Sequence, residues 1–312
     1  MSDTPLALLD EADACHDDEP ARAADMLRRI DPSALPADRL PGLAFLFNHV
    51  LGEKFGAWAE AHGLHAAVLR AAGPSPAIGL WRQAATAAQL AHDDAEAARL
   101  TAALGAASGA TLAQAQDVVT LTAAMYRLPT QAASDRAATV EAASAPLAAP
   151  HWDGPGPLDA AVAACLNNIA STLVELPTAE ARQEPLRATI EEAARLAERF
   201  WLRAGTWVHH ERAAYLRAMA GNALGDAAAA RGHALRALAL LDANDTAQAE
   251  SVDRAFIELE RARACRDLAL HAEAEAAQQS ADALAAGFGD AGLDAWFAKR
   301  RAELGAPALP SG

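Results

Sequence analysis

Small and apolar residues return along this chain at spacings of three and four, as in Ala230, Ala234, Ala237 and Leu238, or Ile190, Ala194 and Ala197. That spacing marks one face of a helix, whereas a half-buried strand alternates residue by residue. The pattern predicts helices near 5–16, 19–30, 37–53, 56–72, 76–91, 94–106, 112–127, 131–147, 158–176, 185–201, 207–224, 227–242, 249–269, 271–287 and 291–304, read as seven antiparallel pairs and a last single helix. The strongest interruption is Ala149-Pro150-His151-Trp152-Asp153-Gly154-Pro155-Gly156-Pro157, whose prolines and glycines cannot continue a helix. The expected organisation is an irregular helical half over 1–148, a linker over 149–157, a more regular half over 158–305 closed by its last helix, and a tail over 306–312.

Composition turns this pattern into a fold class. The 312 residues include 88 alanines but only 14 valines and isoleucines together, and aromatic residues make up 5%. Strands need β-branched and aromatic side chains, while alanine has the highest intrinsic helix propensity, so the chain reads as all-α with closely packed helices. No uncharged apolar run reaches the roughly 20 residues of a membrane span, and Met1-Ser2-Asp3 does not start like a signal peptide. Cys15, Cys165 and Cys265 are far apart and read as free thiols of a reducing compartment. Together with an arginine- and alanine-rich composition, these features point to the cytoplasm of a bacterium. With 26 basic and 41 acidic side chains the formal charge is −15, which repels phosphate backbones and argues against nucleic acid as a partner.

The helices also repeat. Ala218, Ala230, Ala234 and Ala237-Leu238 match Ala264, Ala276, Ser280 and Ala283-Leu284 at a displacement of 46 residues, and a looser copy runs from Asn167-Asn168-Ile169-Ala170 to Ile190, Ala194 and Ala197, with a longer turn over Pro177 to Glu184. The turns resemble one another in His16-Asp17-Asp18-Glu19, His92-Asp93-Asp94-Ala95-Glu96 and Gly225-Asp226. An aspartate before an alanine-rich run is expected to cap the next helix, with Asp93 and Glu96 forming a capping box; metal binding is the functional alternative for these aspartates.

Small residues at a helix crossing, here Ala218, Gly225, Ala230, Ala237 and Leu238 and then Ala264, Ala276, Ala283 and Leu284, resemble the tetratricopeptide repeat over about 158–290, and the first half by analogy. The departures are Ala234 or Ser280 at the usual aromatic, Asp242 or Phe288 at the closing proline, and a repeat longer than the usual 34. The resemblance implies a right-handed superhelical solenoid whose first helices line a concave groove. Residues facing that groove would be Asn167, Asn168 and Ser171; Arg212, Tyr215, Met219 and Asn222; and Glu258, Arg261 and Cys265, the alternative for Asn168 and Asn222 being a hydrogen bond to a neighbouring helix or loop. Leu166 to Ala170 is similar to a Leu-Asn-Asn-Ile-Ala string of kinesin-light-chain-like arrays. Asparagine can clamp a peptide backbone and arginine a carboxylate, so the implied partner is a protein or peptide with an acidic or C-terminal carboxylate.

Other chemistry is sparse. Trp201, Trp207, His209 and His210 fall in one short segment, either as a binding hot spot or as a seal between helix pairs. His62 and His65, with Glu60 nearby, could share a helix face, but no His-Glu-x-x-His motif occurs, and no metal or cofactor is expected. Asp93-Asp94-Ala95-Glu96 resembles a fragment of the magnesium motif of isoprenoid synthases, whereas Asn244-Asp245-Thr246-Ala247-Gln248 fails as the second motif. No nucleophile elbow or phosphate loop appears. The sequence therefore reads as a non-catalytic scaffold. The alternatives are a peptide- or ligand-sensing regulator and a self-associating structural protein, a possible homodimer joined through the last helix with Trp296 and Phe297.

Overall fold

The computed structural model describes residues 4–304 except residue 248. The start Met1-Ser2-Asp3, Gln248 and the tail 306–312 lie outside the described residues. Among those described there is no strand, and the chain is all-helical. No helix among them is long and apolar enough to cross a membrane. The chain divides into two compact units, one ending at Leu158 and one starting at Asp159.

The first unit contains α1 (Pro5–Cys15), α2 (Pro20–Arg29), α3 (Leu40–Leu46) continued by a π-helical segment (Phe47–Lys54), α4 (Trp58–Ala71), α5 (Ile78–Leu90), α6 (Asp94–Ser108), α7 (Leu112–Arg127) and α8 (Ala133–Ser144). Consecutive helices pack on one another, as in α1 with α2, α5 with α6 and α7 with α8, while α5 also touches α3 and α7. Its centre is α5, where the six residues from Gln83 to Ala88 are all buried. A helix buried on every side tolerates only small side chains at close contacts, and alanine supplies four of those six positions.

The second unit contains α9 (Asp159–Val174), α10 (Thr178–Ala181), α11 (Leu186–Ala204), α12 (Trp207–Leu224), α13 (Ala227–Asn244), α14 (Ser251–Asp267), α15 (His271–Ala285) and α16 (Ala291–Glu303). Helix α9 packs on α11, α12 on α13 and α14 on α15, and α12 also touches both α9 and α14. Here α14 is the buried centre, with all six residues from Ala255 to Glu260 buried. The long turn expected over Pro177 to Glu184 contains the one-turn helix α10, whose Ala181 is fully buried.

Three turns between paired helices share one construction. The amides of Asp93, Asp226 and Leu270 reach back to the carbonyls of Ala88, Gly221 and Cys265 at 3.0, 2.8 and 2.8 Å. Between them His92, Gly225 and Ala269 take left-handed backbone at φ of 61°, 83° and 58°. This is a Schellman stop, and it satisfies carbonyls that the helix end leaves open. Gly221 marks a close approach of α12 to α13, because a Cβ added there would stand 3.0 Å from the backbone of Ala230. The cap expectation holds at Asp93 and Asp226, which accept from the amides of Glu96 and Ala229 at 3.1 and 3.0 Å. The reciprocal half of the Asp93 capping box is absent, since the Glu96 carboxylate takes Arg99 at 2.5 and 2.6 Å instead. The first turn departs altogether: the residue before α2 is Glu19, which makes no side-chain cap.

Two further expectations need correcting. Equivalent turns place Gly225 opposite Ala269, a displacement of 44 residues and not 46. Ala276 and Ala283 accordingly lie on the exposed face of α15, and the residues that pack are Ala274, Ala277 and Ala281. In a helix this rich in alanine the residue type no longer distinguishes the faces, so a matched spacing slips easily. The stretch 149–157 is also more than a spacer. Trp152 is fully buried in the first unit, and its indole N–H donates to Asp117 at 2.9 Å, where the His151 Nε2 also binds at 2.9 Å. Trp152→Ala is expected to cost about 3–5 kcal/mol of unfolding free energy in urea denaturation; a loss below about 1 kcal/mol would contradict this anchoring role.

Candidate functional site

The residues assigned from sequence to a groove separate into two groups. On α9, Asn168 is exposed, with Asn167 and Ser171 half-buried beside it. On α12, Arg212 is exposed and Met219 half-buried, but the same helix stripe also carries Tyr215 and Asn222, which turn onto α14. Asn222 is fully buried, and its Nδ2 donates to the backbone oxygen of Glu260 at 2.9 Å and to its carboxylate at 2.7 Å. Tyr215 packs between the core clusters that hold Phe256 and Leu238, and burial beside Glu260 raises its hydroxyl pKa. On α14, Glu258 is buried and raised by that burial, with Arg261 at 2.6 Å offsetting part of the effect, and Cys265 is fully buried. Asn222, Glu258 and Cys265 are therefore interior residues. Periodicity assigned them to a free face because the stripe of α12 that would face a partner is the stripe that meets α14.

The arginines expected to receive a partner carboxylate already hold internal ones. Arg212 pairs with Asp253 at 2.7 Å and Glu250 at 3.3 Å. Next to this pair sits Glu211, fully buried, and among the described residues neither of its carboxyl oxygens meets a hydrogen-bond donor. Burial, reinforced by the negative charge of Asp253, raises its pKa to about 8. A buried carboxyl with a carboxylate neighbour takes up a proton to avoid an unpaired charge.

The aromatic segment serves as a junction. The rings of Trp201 at the end of α11 and His209 at the start of α12 lie 4.4 Å apart, and His209 Nδ1 accepts the backbone N–H of Thr206 at 3.1 Å, closing the first turn of α12. Trp207 packs against the α12–α13 core, and His210 is half-buried with its Nε2 unpartnered among the described residues. At the far end Phe297 is buried against Phe256 and Phe288, while Trp296 stays partly exposed under Lys299, whose Nζ lies 4.9 Å from the ring centre. Phe297 is thus a core residue of the second unit, not a free docking side chain.

The first unit holds a buried polar network that sequence spacing did not reveal. Asn48, in the π-helical segment, donates from Nδ2 to the backbone oxygen of Gln83 at 2.9 Å and to its side-chain oxygen at 2.7 Å. Tyr126 donates to the same Gln83 oxygen at 3.1 Å, and His65 Nε2 donates to Asn48 Oδ1 at 2.8 Å. Full burial near His62 lowers the His65 pKa to about 3, so the ring is neutral. His62 itself faces Asp93 at 3.7 Å and Glu60 binds Arg28 at 2.7 Å, so His62, His65 and Glu60 do not converge. His62 and His65 do line a cavity of about 420 Å³ together with Trp81, Glu96 and Arg99. The group that does converge is His16, Asp17 and His49, whose ligating atoms lie within 4.8 Å of one another. Residue spacing could not bring it together, because it joins the α1–α2 turn to the π-helical segment. No protein-family model and no curated protein matches this sequence.

The Glu211 carboxyl fixes a pH dependence. Its pKa is above the ordinary 4.5, so the folded state holds the proton more tightly than the unfolded state, and stability falls as pH rises from about 4.5 through about 8. Glu211→Gln is expected to flatten that slope and to raise unfolding free energy near pH 8 by on the order of a few kcal/mol. Urea denaturation at several pH values checks this; an unchanged slope in the variant would contradict it.

Proposed function

We infer that this chain is a non-catalytic, tetratricopeptide-like scaffold that binds a protein or peptide in a bacterial cytoplasm. The observation that carries the reading is the layering of the second unit: first helices α9, α12 and α14 lie side by side, each packed on its own second helix, α11, α13 or α15. Units joined in this way form a solenoid, right-handed in the tetratricopeptide class; exposed first-helix residues occur on α9 and α12, whereas α14 is covered in part by α16. The three cysteines are free thiols, consistent with a reducing compartment.

The recognition face in this reading is narrower than the stripe read from sequence. It comprises Asn167, Asn168 and Ser171 on α9, Arg212 and Met219 on α12, and Arg261 on α14. Arg212 remains 54% exposed in its pair with Asp253. Surface pairs of this kind contribute about 0–1 kcal/mol, so a partner carboxylate exchanges with the internal one at little cost. A peptide array with free and amidated C-termini tests the reading. The full chain should capture a subset of peptides with a preference for free carboxylates, and Arg212→Gln and Asn168→Ala should each weaken capture about tenfold, equivalent to about 1.4 kcal/mol, with helicity intact. An array without capture, or capture unchanged in both variants, contradicts the assignment.

A further inference from the structure

The α1–α2 turn and the π-helical segment bring three metal-ligating groups together in the first unit. His16 Nε2 lies 3.5 Å from Asp17 Oδ2, and His49 Nε2 lies 3.6 Å from Asp17 Oδ1. The ligands of a tetrahedral zinc ion, bound at about 2.0–2.1 Å, stand about 3.3–3.4 Å apart; the two histidines approach different oxygens of Asp17 at close to that separation, and one ligating atom from each of the three residues lies within 4.8 Å of the others, so small side-chain rotations bring them onto one ion.

The hydrogen bonds on the opposite side of each ring favour ligation. His16 Nδ1 donates to the backbone oxygen of Asp13 at 2.5 Å, and His49 Nδ1 donates to the Glu53 carboxylate at 2.9 Å. With Nδ1 of each ring engaged on that side, each imidazole directs its Nε2 toward Asp17. Carbonyl and carboxylate partners behind the imidazole are the outer-shell arrangement that fixes ring orientation in histidine metal sites. Asp17 is oriented as well: Lys54 donates to Oδ1 at 2.6 Å and to the His16 carbonyl at 3.0 Å, leaving Oδ2 for a ligand. Asp17 also does not cap α2, so the cap reading of this turn leaves its position unexplained. The π-helical segment that carries His49, Glu53 and Lys54 is a rare geometry that is frequent at functional sites.

We propose that His16, Asp17 and His49 bind a single divalent ion of the zinc class through two imidazole nitrogens and one carboxylate oxygen. Imidazole ligands select zinc, cobalt or nickel over magnesium and calcium, which take oxygen ligands. His16 and His49 are half-buried and Asp17 is exposed, so the ion is reached from solvent and keeps a coordination position for water or an incoming donor. Bound there, it ties the α1–α2 turn to the π-helical segment.

Calorimetric titration of the full chain, cleared of metal with a chelator, with zinc chloride and separately with magnesium chloride tests the site. The expected result is saturable binding of one zinc ion and no heat with magnesium at the same concentration. His16→Ala and His49→Ala should abolish or greatly weaken binding. Glu53→Gln, which keeps all three ligands, should weaken it about 10- to 100-fold, and His271→Ala should leave it unchanged. Cobalt should give the visible bands of a four-coordinate site in the unaltered chain and lose them in His49→Ala. An unaltered chain without saturable zinc binding overturns the proposal whatever the variants do, as does zinc binding that survives undiminished in both histidine variants.

Discussion

Both units depend on one kind of contact, a buried asparagine that hydrogen-bonds a backbone carbonyl and a side-chain oxygen of the central helix together. Asn48 does this to Gln83 of α5 and Asn222 to Glu260 of α14. The contact matters because of the alanine around it. Alanine lets helices approach closely, but each methyl buries little area, and one alanine ridge fits a neighbouring groove much as the next does. Apolar packing of this kind leaves the sliding position of two helices weakly determined. An amide with both hydrogens committed to one residue fixes that position, because any slip leaves buried donors and acceptors unpaired at about 1–3 kcal/mol each.

The two clamps are completed differently, and the difference distinguishes the units chemically. In the first, Tyr126 and His65 are neutral partners, and burial keeps His65 uncharged. In the second the acceptor is a carboxylate, and Arg300 of α16 closes on its other oxygen at 2.6 Å. Helix α16 is therefore fastened to α14 by a buried charge pair as well as by Phe297. The same region holds Glu211 without a donor, so acidic groups are concentrated along α12 and α14 where an arginine-lined groove was expected.

Much of the architecture was legible in the sequence. Fourteen of the fifteen expected segments correspond to α-helices with small end differences; the segment 37–53 instead divides into one short turn, α3 and the π-helical stretch. Ile190, Ala194 and Ala197 pack as their spacing implied. What failed was finer. The repeat displacement was misread because exposed Ala276 and buried Ala274 are the same residue type. For Asn222 the spacing left open a groove face or a neighbouring helix, because a polar residue on a helix stripe looks alike whether it meets solvent or a neighbour's carbonyl, and the second is found. The convergence of His16 and Asp17 with His49 depends on a π-helical geometry that no residue spacing announces.

A double-mutant cycle on Asn222 and Glu260 tests the central constraint most directly. Unfolding free energies of the unaltered chain, Asn222→Ala, Glu260→Ala and the double variant, measured in urea, should show a coupling of about 1–3 kcal/mol, because each single change removes the side-chain hydrogen bond and leaves one buried amide hydrogen or one buried carboxylate oxygen without its partner. If the two losses add to within about 0.5 kcal/mol, the side-chain part of the clamp does not hold α12 in register on α14.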